Sequence, residues 1–340
     1  MVDALPVIDT PRFSEHLRSR AIKVDSQEVL VTKFEGSEQA EDFTLPSNCG
    51  GFGRIHHFRK SQDGLWPPNP LPIEPAMDAL GLPGADTLQV QVFQNAVCSW
   101  RCWYCFVDFD LLSGNRKFSE FKTADELLDL YLKEPARPVV IDLSGGQPDL
   151  VPEWGYWFYR ALEARGLGAQ VYLWTDDNLS NDYLWRFLNR KQVTELASAR
   201  NYGRVGCFKG FDEASFMFNT QAAKELFAEQ FHLMKRLLDA DFDVFGYATF
   251  TSLKDTNLQR EIKNFVDRLQ EHVHPLFPLR TIPLRISEFT PTKRRLNQER
   301  ERAIAIQENA VAAWLEELKA RFPPDTRSRK ITEHKVNNRK

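Results

Sequence analysis

The sequence predicts an α/β protein whose parallel sheet curls into a partial, TIM-like (βα)6 barrel. From residue 88 onward, short apolar runs alternate with longer stretches that have the apolar period of a helix. Six such runs recur about every 30 to 50 residues, which is typical of βα units around a parallel sheet. Right-handed crossovers would curl that sheet, and the length does not comfortably accommodate the eight strands of a closed barrel. We therefore expect an open barrel.

The predicted elements alternate as strand and helix through this region. The first helix is supported by a capping box, because Glu126 stands three residues after Thr123. The candidate strands are Leu88–Phe93, Val139–Leu143, Gln170–Trp174, Arg204–Phe208, Asp243–Phe250 and Pro283–Ile286. The candidate helices are Thr123–Glu134, Val151–Arg165, Asp182–Asn189, Thr220–Asp239 and Asn257–His272.

The segments on either side of the predicted barrel, residues 86–292, differ from it in composition. Residues 1–85 carry glycine-rich and proline-rich stretches that disfavour regular structure, so we expect an irregular extension there. Its loop around Cys49, with His56 and His57, is a candidate lid.

Residues 293–340 comprise a predicted helix, Leu296–Ala320, and a basic tail. From residue 321 onward the tail has seven Lys and Arg residues against two acids. The interpretation favoured by its terminal position is a frayed, solvated end of the chain. The alternative is an arm that binds nucleic acid or an acidic partner.

The overall composition excludes several classes of protein. The 340 residues carry a net charge of −3, with 42% hydrophobic and 27% charged residues, which does not suit a polybasic coat for nucleic acid or membranes. No apolar run reaches the length of a membrane span, and the first residues lack the pattern of a secretory signal. We therefore expect a cytoplasmic protein without a membrane partner.

Three of the five cysteines form a close cluster. Cys98, Cys102 and Cys105 have the spacing C-x3-C-x2-C directly after the first predicted strand, where functional loops of βα folds lie. Three thiolates on one loop suit a soft metal centre. A [4Fe–4S] cluster normally takes four thiolates, so three would leave one iron with an exchangeable position.

Two other interpretations of these cysteines remain open. A structural zinc site needs four Cys or His ligands, and it would have to recruit Cys49, His56, Cys207 or His232 from elsewhere in the chain. Buried cysteines that only pack in the core are the second alternative.

The cysteine spacing, with an aromatic Tyr104 before the last cysteine, resembles the cluster loop of the radical S-adenosylmethionine (SAM) enzymes. The resemblance covers roughly residues 88–290. It implies a partial barrel, one [4Fe–4S] cluster on the three cysteines, and SAM held on the open iron by its amino and carboxylate groups. It further implies reductive cleavage of SAM to a 5′-deoxyadenosyl radical, with an electron donor such as flavodoxin or ferredoxin.

The same resemblance implies a set of SAM-binding residues. The segment Ser144-Gly145-Gly146-Gln147 is similar to the family's G-G-E-P motif, with an amide in place of the acid. The segment around Lys209 is similar to the Asp-x-Lys motif of glycyl-radical activating enzymes, with Cys207 in the place of Asp. The complete set of implied SAM contacts is Tyr104, Ser144, Gly145, Gly146, Gln147, Thr175, Asp177, Asn178, Lys209 and Arg285.

Several of these residues also have purely structural interpretations. Asp177 and Asn178, like Asp176, are equally suited to cap the following helix. The Gly-Gly pair is also typical of an ordinary turn at a strand end. Cys207 is a candidate catalytic hydrogen-atom donor, and a packing cysteine is its alternative.

The cysteine count limits which enzymes of this kind are compatible with the chain. Two cysteines outside the motif cannot build a second four-thiolate cluster, so we expect a single-cluster enzyme. The segment around Lys209 slightly favours activation of a protein glycyl radical, with a protein as substrate. Modification of a nucleotide or nucleic acid, with the basic tail as its support, is one alternative. A non-catalytic zinc or Fe–S protein is another.

Overall fold

A seven-stranded sheet forms the centre of the structure, a computed structural model that describes residues 7–63 and 67–337. The strands of this sheet and of a smaller second sheet are β1 Ile22–Lys23, β2 Glu28–Thr32, β3 Gly53–Arg59, β4 Thr87–Phe93, β5 Ser119–Thr123, β6 Val140–Leu143, β7 Tyr172–Asp177, β8 Tyr202–Phe208, β9 Val244–Thr249 and β10 Thr281–Leu284. The large sheet has the order β10-β9-β8-β7-β6-β4-β3, and the second sheet has the order β1-β2-β5.

The predicted helices begin within two residues of their expected positions, except that the one predicted from Thr220 begins at Leu226. Six helices of the described residues were not predicted. Among them are Arg190–Ser198, whose sequence continues directly from the shorter helix before it, and Glu213–Thr220. Among the helices of the described residues, none combines the length and apolar character that crossing a bilayer requires. They are α1 Thr10–Ala21, α2 Ile73–Leu80, α3 Ala124–Lys133, α4 Glu153–Ala164, α5 Tyr183–Phe187, α6 Arg190–Ser198, α7 Glu213–Thr220, α8 Leu226–Asp239, α9 Leu258–His272, α10 Thr290–Lys293, α11 Gln298–Arg321 and α12 Pro324–Arg327.

The large sheet and its helices form an α/β half-barrel, which the sequence predicts in outline. Its strands from β4 to β10 run parallel, whereas β3 pairs antiparallel with β4 at one edge. This extra strand was not predicted. It comes from the segment Gly53–Arg59, which has few local strand signals and whose backbone is satisfied by pairing with β4.

The two faces of the large sheet pack against different sets of apolar side chains. Alternate side chains such as Val90, Val140 and Tyr172 pack with Met77 of α2, which covers the inside of the half-barrel. The opposite positions, including Phe208, pack against the surrounding helices. This alternation is the ordinary period of a strand, and it decides which residues point into the half-barrel.

The expectation of an irregular N-terminal extension is wrong for much of its described part. Helix α1 starts after Asp9, whose side chain accepts a hydrogen bond from the backbone N–H of Arg12 at 3.2 Å. Strand β2 then pairs with β5, which lies much further along the chain. Local patterns cannot show such distant pairing. Residues 1–6 and 64–66 of the extension lie outside the described residues.

The C-terminal segment is folded against the barrel rather than frayed. Lys330 lies 2.8 Å from Asp78 of α2, and the N–H of Ile331 donates to Glu74 at 3.0 Å. The main-chain oxygen of His334 accepts from Arg280 at 3.1 Å. The acids on α2 therefore provide partners that composition alone did not reveal. Residues 338–340 of the predicted tail are outside the described ranges.

The open side of the half-barrel is bridged by residues 38–44, which we call the strap. This segment precedes the edge strand β3, and it contacts α10, which follows the opposite edge strand β10. Asp42 accepts hydrogen bonds from the N–H and hydroxyl of Thr290, both at 2.9 Å, and Glu38 forms an ion pair with Arg294. The strap thereby connects the two edges of the sheet.

Replacing Arg18 by Met tests how α1 is anchored. Arg18 is buried, forms an ion pair with Glu153 of α4, and donates to the carbonyl of Leu150 at 2.8 Å. Removing one partner leaves a buried, uncompensated carboxylate, so we expect the free energy of unfolding to fall by about 3–5 kcal/mol. Urea denaturation measures this loss. The double variant Arg18→Met/Glu153→Gln should recover part of it, and a loss below about 1 kcal/mol would contradict the anchoring role.

Candidate functional site

A cavity of about 280 Å³ opens at the C-terminal edge of the parallel strands. It is the place where loops of βα folds converge. Of the residues predicted from sequence, those that line it are Cys98, Cys102, Tyr104, Cys105, Ser144, Gly145, Gly146, Asn178, Cys207, Lys209 and Arg285. The cavity thus brings the cysteine loop together with the ends of four strands.

The cysteine loop is fixed by hydrogen bonds to its backbone. Arg295 donates to the carbonyl oxygens of Cys105 at 2.6 Å and Val107 at 2.8 Å. Arg101 donates to the carbonyl of Cys98 at 2.6 Å. Two guanidinium groups therefore satisfy carbonyls that have no partner in a regular element, and they place positive charge beside the three thiols.

Burial controls the ionisation of two of these thiols. Burial raises the pKa of Cys98 to about 12 and that of Cys102 to about 11. The amide of Asn178 contacts the Cys98 Sγ at 3.6 Å. Without a bound metal the two thiols are protonated at neutral pH, and a metal that binds them must displace their protons.

Within residues 7–63 and 67–337, no three or more His, Cys, Asp or Glu side chains form a group that could hold a metal ion.

The Gly145–Gly146 turn lies directly beside the cysteine loop. Gly145 has φ of 89°, a left-handed conformation that favours glycine. A side chain at Gly146 would collide with Asn95, whose amide donates to the carbonyl of Gln147 at 2.9 Å. Glycine is therefore needed for the turn to approach the end of β4, and this leaves the turn's backbone facing the cavity.

Gln147 does not line the cavity. Its side-chain oxygen accepts from the N–H and hydroxyl of Ser99, both at 2.8 Å. Its amide nitrogen donates to Asp149 at 2.9 Å and to Ser180 at 2.6 Å. All of its hydrogen-bonding capacity is used within the protein, so the expected contact of this side chain with SAM is replaced by a role in supporting the cysteine loop. The amide suits this position because it donates to a carboxylate.

Strand alternation separates the four polar residues at the end of β7. Asp176 and Asn178 line the cavity, whereas Thr175 and Asp177 point to the other face of the sheet. Thr175 bonds with the hydroxyl of Tyr202 at 2.7 Å, and Asp177 lies 3.7 Å from Arg204. The prediction that Thr175 and Asp177 contact a cofactor does not agree with these positions. Asp176, which was not among the predicted SAM contacts, lines the cavity instead.

The remaining predicted residues surround the cysteine loop. The hydroxyl of Tyr104 lies 3.2 Å from the Thr249 hydroxyl, and Lys209 and Cys207 face the cavity from the end of β8. Burial raises the pKa of Cys207 to about 12. Arg285 borders the cavity and also pairs with Glu308 of α11 at 3.0 Å.

Sequence reasoning missed two charged-type residues that line the cavity. Arg54 comes from the unpredicted strand β3, and Asp142 stands within a predicted apolar strand. The sequence did contain a signal for Asp142. An acidic residue in an otherwise apolar strand indicates a polar site inside the protein, since a buried charge needs a partner. Cys49, by contrast, is buried outside this cavity and its N–H donates to Glu134 at 2.7 Å. His56 and His57 form a wall of the cavity as part of β3.

Comparison with known proteins gives a limited likeness in fold. No family model matches the sequence, and no curated protein matches it. The crystal structure of Streptococcus suis SuiB bound to S-adenosylmethionine is 17% identical over 66% of this chain and 46% of that chain, with a TM-score of 0.44. Another SuiB structure is 18% identical over 54% of this chain and 37% of that chain, with a TM-score of 0.37. This chain thus spans less than half the length of these structures.

The substitution Gln147→Glu tests the supporting role of this side chain. The change keeps the shape of the side chain but removes the donor to Asp149 and places two carboxylates together in a buried position. We expect the free energy of unfolding to fall by about 1–3 kcal/mol at pH 8. The loss should be smaller at pH 5, where the introduced carboxyl group can be protonated and can again donate. The same substitution at the exposed Gln259 is the control and should cost less than about 0.5 kcal/mol. Equal losses at both positions would contradict this role.

The pH dependence of stability tests the burial of Asp176. Burial raises its pKa to about 7, above the value of about 3.9 in an unfolded chain. The folded state therefore binds more protons between these two values, so stability falls as the pH rises from about 4 to 7. We expect Asp176→Asn to make this decline smaller. The reduction is on the order of 1.4 kcal/mol for each unit by which the pKa of Asp176 in the folded protein exceeds that in the unfolded chain. Denaturation at a series of pH values measures it, and parallel profiles would show that Asp176 is not the group concerned.

Proposed function

We propose that the protein is a radical SAM enzyme that binds one [4Fe–4S] cluster on Cys98, Cys102 and Cys105. Such a cluster, when bound, would supply the electron that cleaves SAM to a 5′-deoxyadenosyl radical for hydrogen abstraction. The observation that carries the proposal is the convergence of three cysteines of one loop with the Gly145–Gly146 turn at a single cavity.

The residues around the cysteines fit this group. Three thiols on one loop supply the soft ligands that an Fe–S cluster requires. The guanidinium groups of Arg101 and Arg295 hold the loop and add positive charge close to the anionic ligand set. The amide of Asn178 can donate to a sulfur, as it does to that of Cys98 at 3.6 Å. Such second-sphere contacts orient ligands and tune a bound centre.

The other cavity residues can bind and orient SAM. The ammonium of Lys209 faces the cavity beside the cysteine loop, where it can pair with a carboxylate. The exposed backbone of the Gly145–Gly146 turn offers groups for an amino group. Tyr104 and Cys207 complete the wall, and Cys207 remains our candidate hydrogen-atom donor. Burial of these residues excludes bulk water from the position where a radical would form.

A small substrate suits the cavity better than a protein segment. The sequence slightly favours activation of a protein glycyl radical, which requires a polypeptide to reach the interior of the half-barrel. The strap contributes Gln39, Asp42 and Phe43 to the lining of the cavity, and it is tied to Thr290. A chain segment could enter only if these contacts opened, so we place a small metabolite first and a protein glycine second.

The alternative functions differ in what they predict for the purified protein. A zinc protein would be colourless and would hold zinc in a stoichiometric amount. An electron-transfer protein would hold a cluster but would never consume SAM. An enzyme that modifies nucleic acid would bind RNA or DNA with a steep salt dependence. The pairing of Lys330 with Asp78 reduces the positive charge that the tail can offer to such a ligand.

Replacing Cys102 by Ala tests the proposed cluster and its activity. After anaerobic reconstitution with iron and sulfide, the wild type should contain about four irons and should form 5′-deoxyadenosine from SAM and dithionite. We expect Cys102→Ala to lose the brown colour and nearly all of this product. Iron analysis, absorption spectra and product chromatography measure these changes.

Cys49→Ala is the matched control, because Cys49 is buried outside the cavity. This variant should have the iron content of the wild type and should still form 5′-deoxyadenosine. If wild-type protein binds iron but forms no 5′-deoxyadenosine where a known radical SAM enzyme does, the proposed function is wrong. Stoichiometric zinc in the anaerobically purified protein would instead favour the structural alternative.

A further inference from the structure

Three ionisable side chains lie together inside the half-barrel, and the proposed cluster and SAM site do not use them. We define the polar layer as Arg54 of β3, Asp142 of β6 and Asp176 of β7, all of which line the cavity. The sheet register places Arg54 opposite Val92, and Val92 opposite Asp142. Arg54 and Asp142 therefore lie level with each other on the inner face of the sheet, one inward position closer to the cysteine loop than the apolar side chains Val90 and Val140. Asp176 lies one inward position further along, because the register pairs Asp142 with Trp174.

Two atoms of the polar layer lack hydrogen-bond partners among the described residues. Arg54 is 6% exposed and its Nε is unpartnered, and Asp142 is 3% exposed with an unpartnered Oδ1. The other oxygen of Asp142 accepts from the hydroxyl of Ser144 at 3.0 Å. A buried donor and a buried acceptor left open in one cavity point to a ligand that satisfies both, since such groups are costly when unpaired.

Aromatic rings hold the guanidinium of Arg54 in place. Its Cζ lies 5.8 Å from the ring centroid of Phe43 in the strap and 5.3 Å from that of Phe106, which follows Cys105. These contacts fix the plane of the guanidinium but supply no hydrogen-bond acceptor. Arg54 is therefore positioned beneath the strap and beside the cysteine loop, with its Nε still available.

Both signs of charge in the polar layer are incompletely compensated. Burial raises the pKa of Asp142 well above its usual range, and the neighbouring Asp176 adds to this effect. Burial lowers the pKa of Arg54 to about 10, although the two carboxyl groups partly offset it. A ligand with one positive and one negative group would stabilise the ionised forms of both kinds of side chain, whereas a neutral ligand would add a counter-charge to neither.

We propose that the polar layer binds a free α-amino acid as the substrate. Its ammonium group contacts the open oxygen of Asp142 and lies close to Asp176, and its carboxylate accepts from Arg54. The strap limits the cavity to a small molecule, and the side chain of the amino acid then extends along apolar walls such as Trp174. This inference rests on the proposed function for its chemistry, but the binding of the amino acid does not depend on the cluster.

The test uses the reconstituted protein and three sets of probes. The first set is the twenty common L-α-amino acids, the second their decarboxylated amines, and the third their N-acetyl derivatives. Binding is measured by calorimetry with and without SAM, and formation of 5′-deoxyadenosine is measured in parallel. We expect at least one amino acid to bind and to increase product formation at least tenfold. Its amine and its N-acetyl derivative should bind at least tenfold more weakly.

Variants of the polar layer locate the binding. We expect Asp142→Asn and Arg54→Lys to raise the dissociation constant of the amino acid at least tenfold and to change that of SAM less than twofold. Asp243→Asn is the matched control, because Asp243 precedes β9, does not line the cavity and pairs with Arg280 at 2.6 Å. It should leave the affinity for the amino acid unchanged within twofold. Unfolding midpoints verify that each variant is folded.

The outcomes separate this inference from the proposed function. If SAM is cleaved but no amino acid binds, or if neutral nucleosides bind instead, the amino-acid site is wrong and the proposed function stands. A parallel loss of SAM affinity in Asp142→Asn would assign the polar layer to the methionyl group of SAM, which also overturns the inference. If an amino acid binds and the variants weaken its binding, but SAM is never cleaved, the proposed function is wrong and the amino-acid site stands.

Discussion

The hydrogen bonds between the cysteine loop and the turn after β6 determine the geometry of the candidate site. Asn95, at the start of the loop, both donates to and accepts from the backbone of Gln147, at 2.9 and 2.6 Å. The side chain of Gln147 then bonds to Ser99 within the loop. Because the loop and the turn follow adjacent parallel strands, these contacts lock the thiols and the Gly145–Gly146 backbone to the same edge of the sheet. Everything else in the cavity is arranged around this junction.

The large sheet does not close into a full barrel, and the N-terminal segment covers its open side. Strand β3 extends one edge of the sheet, and the strap contacts α10 beyond the other edge. Phe43 of the strap also packs on Arg54. An open barrel exposes its interior to water, which would screen charges and weaken hydrogen bonds there. The N-terminal segment therefore encloses the cavity as well as lining it.

The interior of the half-barrel is divided into zones of different polarity. Tyr172, Val90 and α2 form an apolar region deep in the half-barrel, and the cysteine loop covers the other end. Between them lies the polar layer with its unpartnered atoms on Arg54 and Asp142. Folding stability alone does not require these charges, because apolar residues at the same positions would cost less to bury. Their presence is explained more readily by recognition of a ligand.

The half-barrel in outline and the loop that carries Cys98, Cys102 and Cys105 could be predicted from the sequence, because both depend on local patterns: apolar runs, capping signals and cysteine spacing. Strand β3, the strap and the folded C-terminal segment could not, because each is stabilised by pairing with residues far away in the chain, as in the contacts of Asp42 with Thr290. The folded chain was also needed to show that Asp176 faces the cavity and Asp177 does not, since the direction of a strand's side chains is set by the packing of the whole sheet.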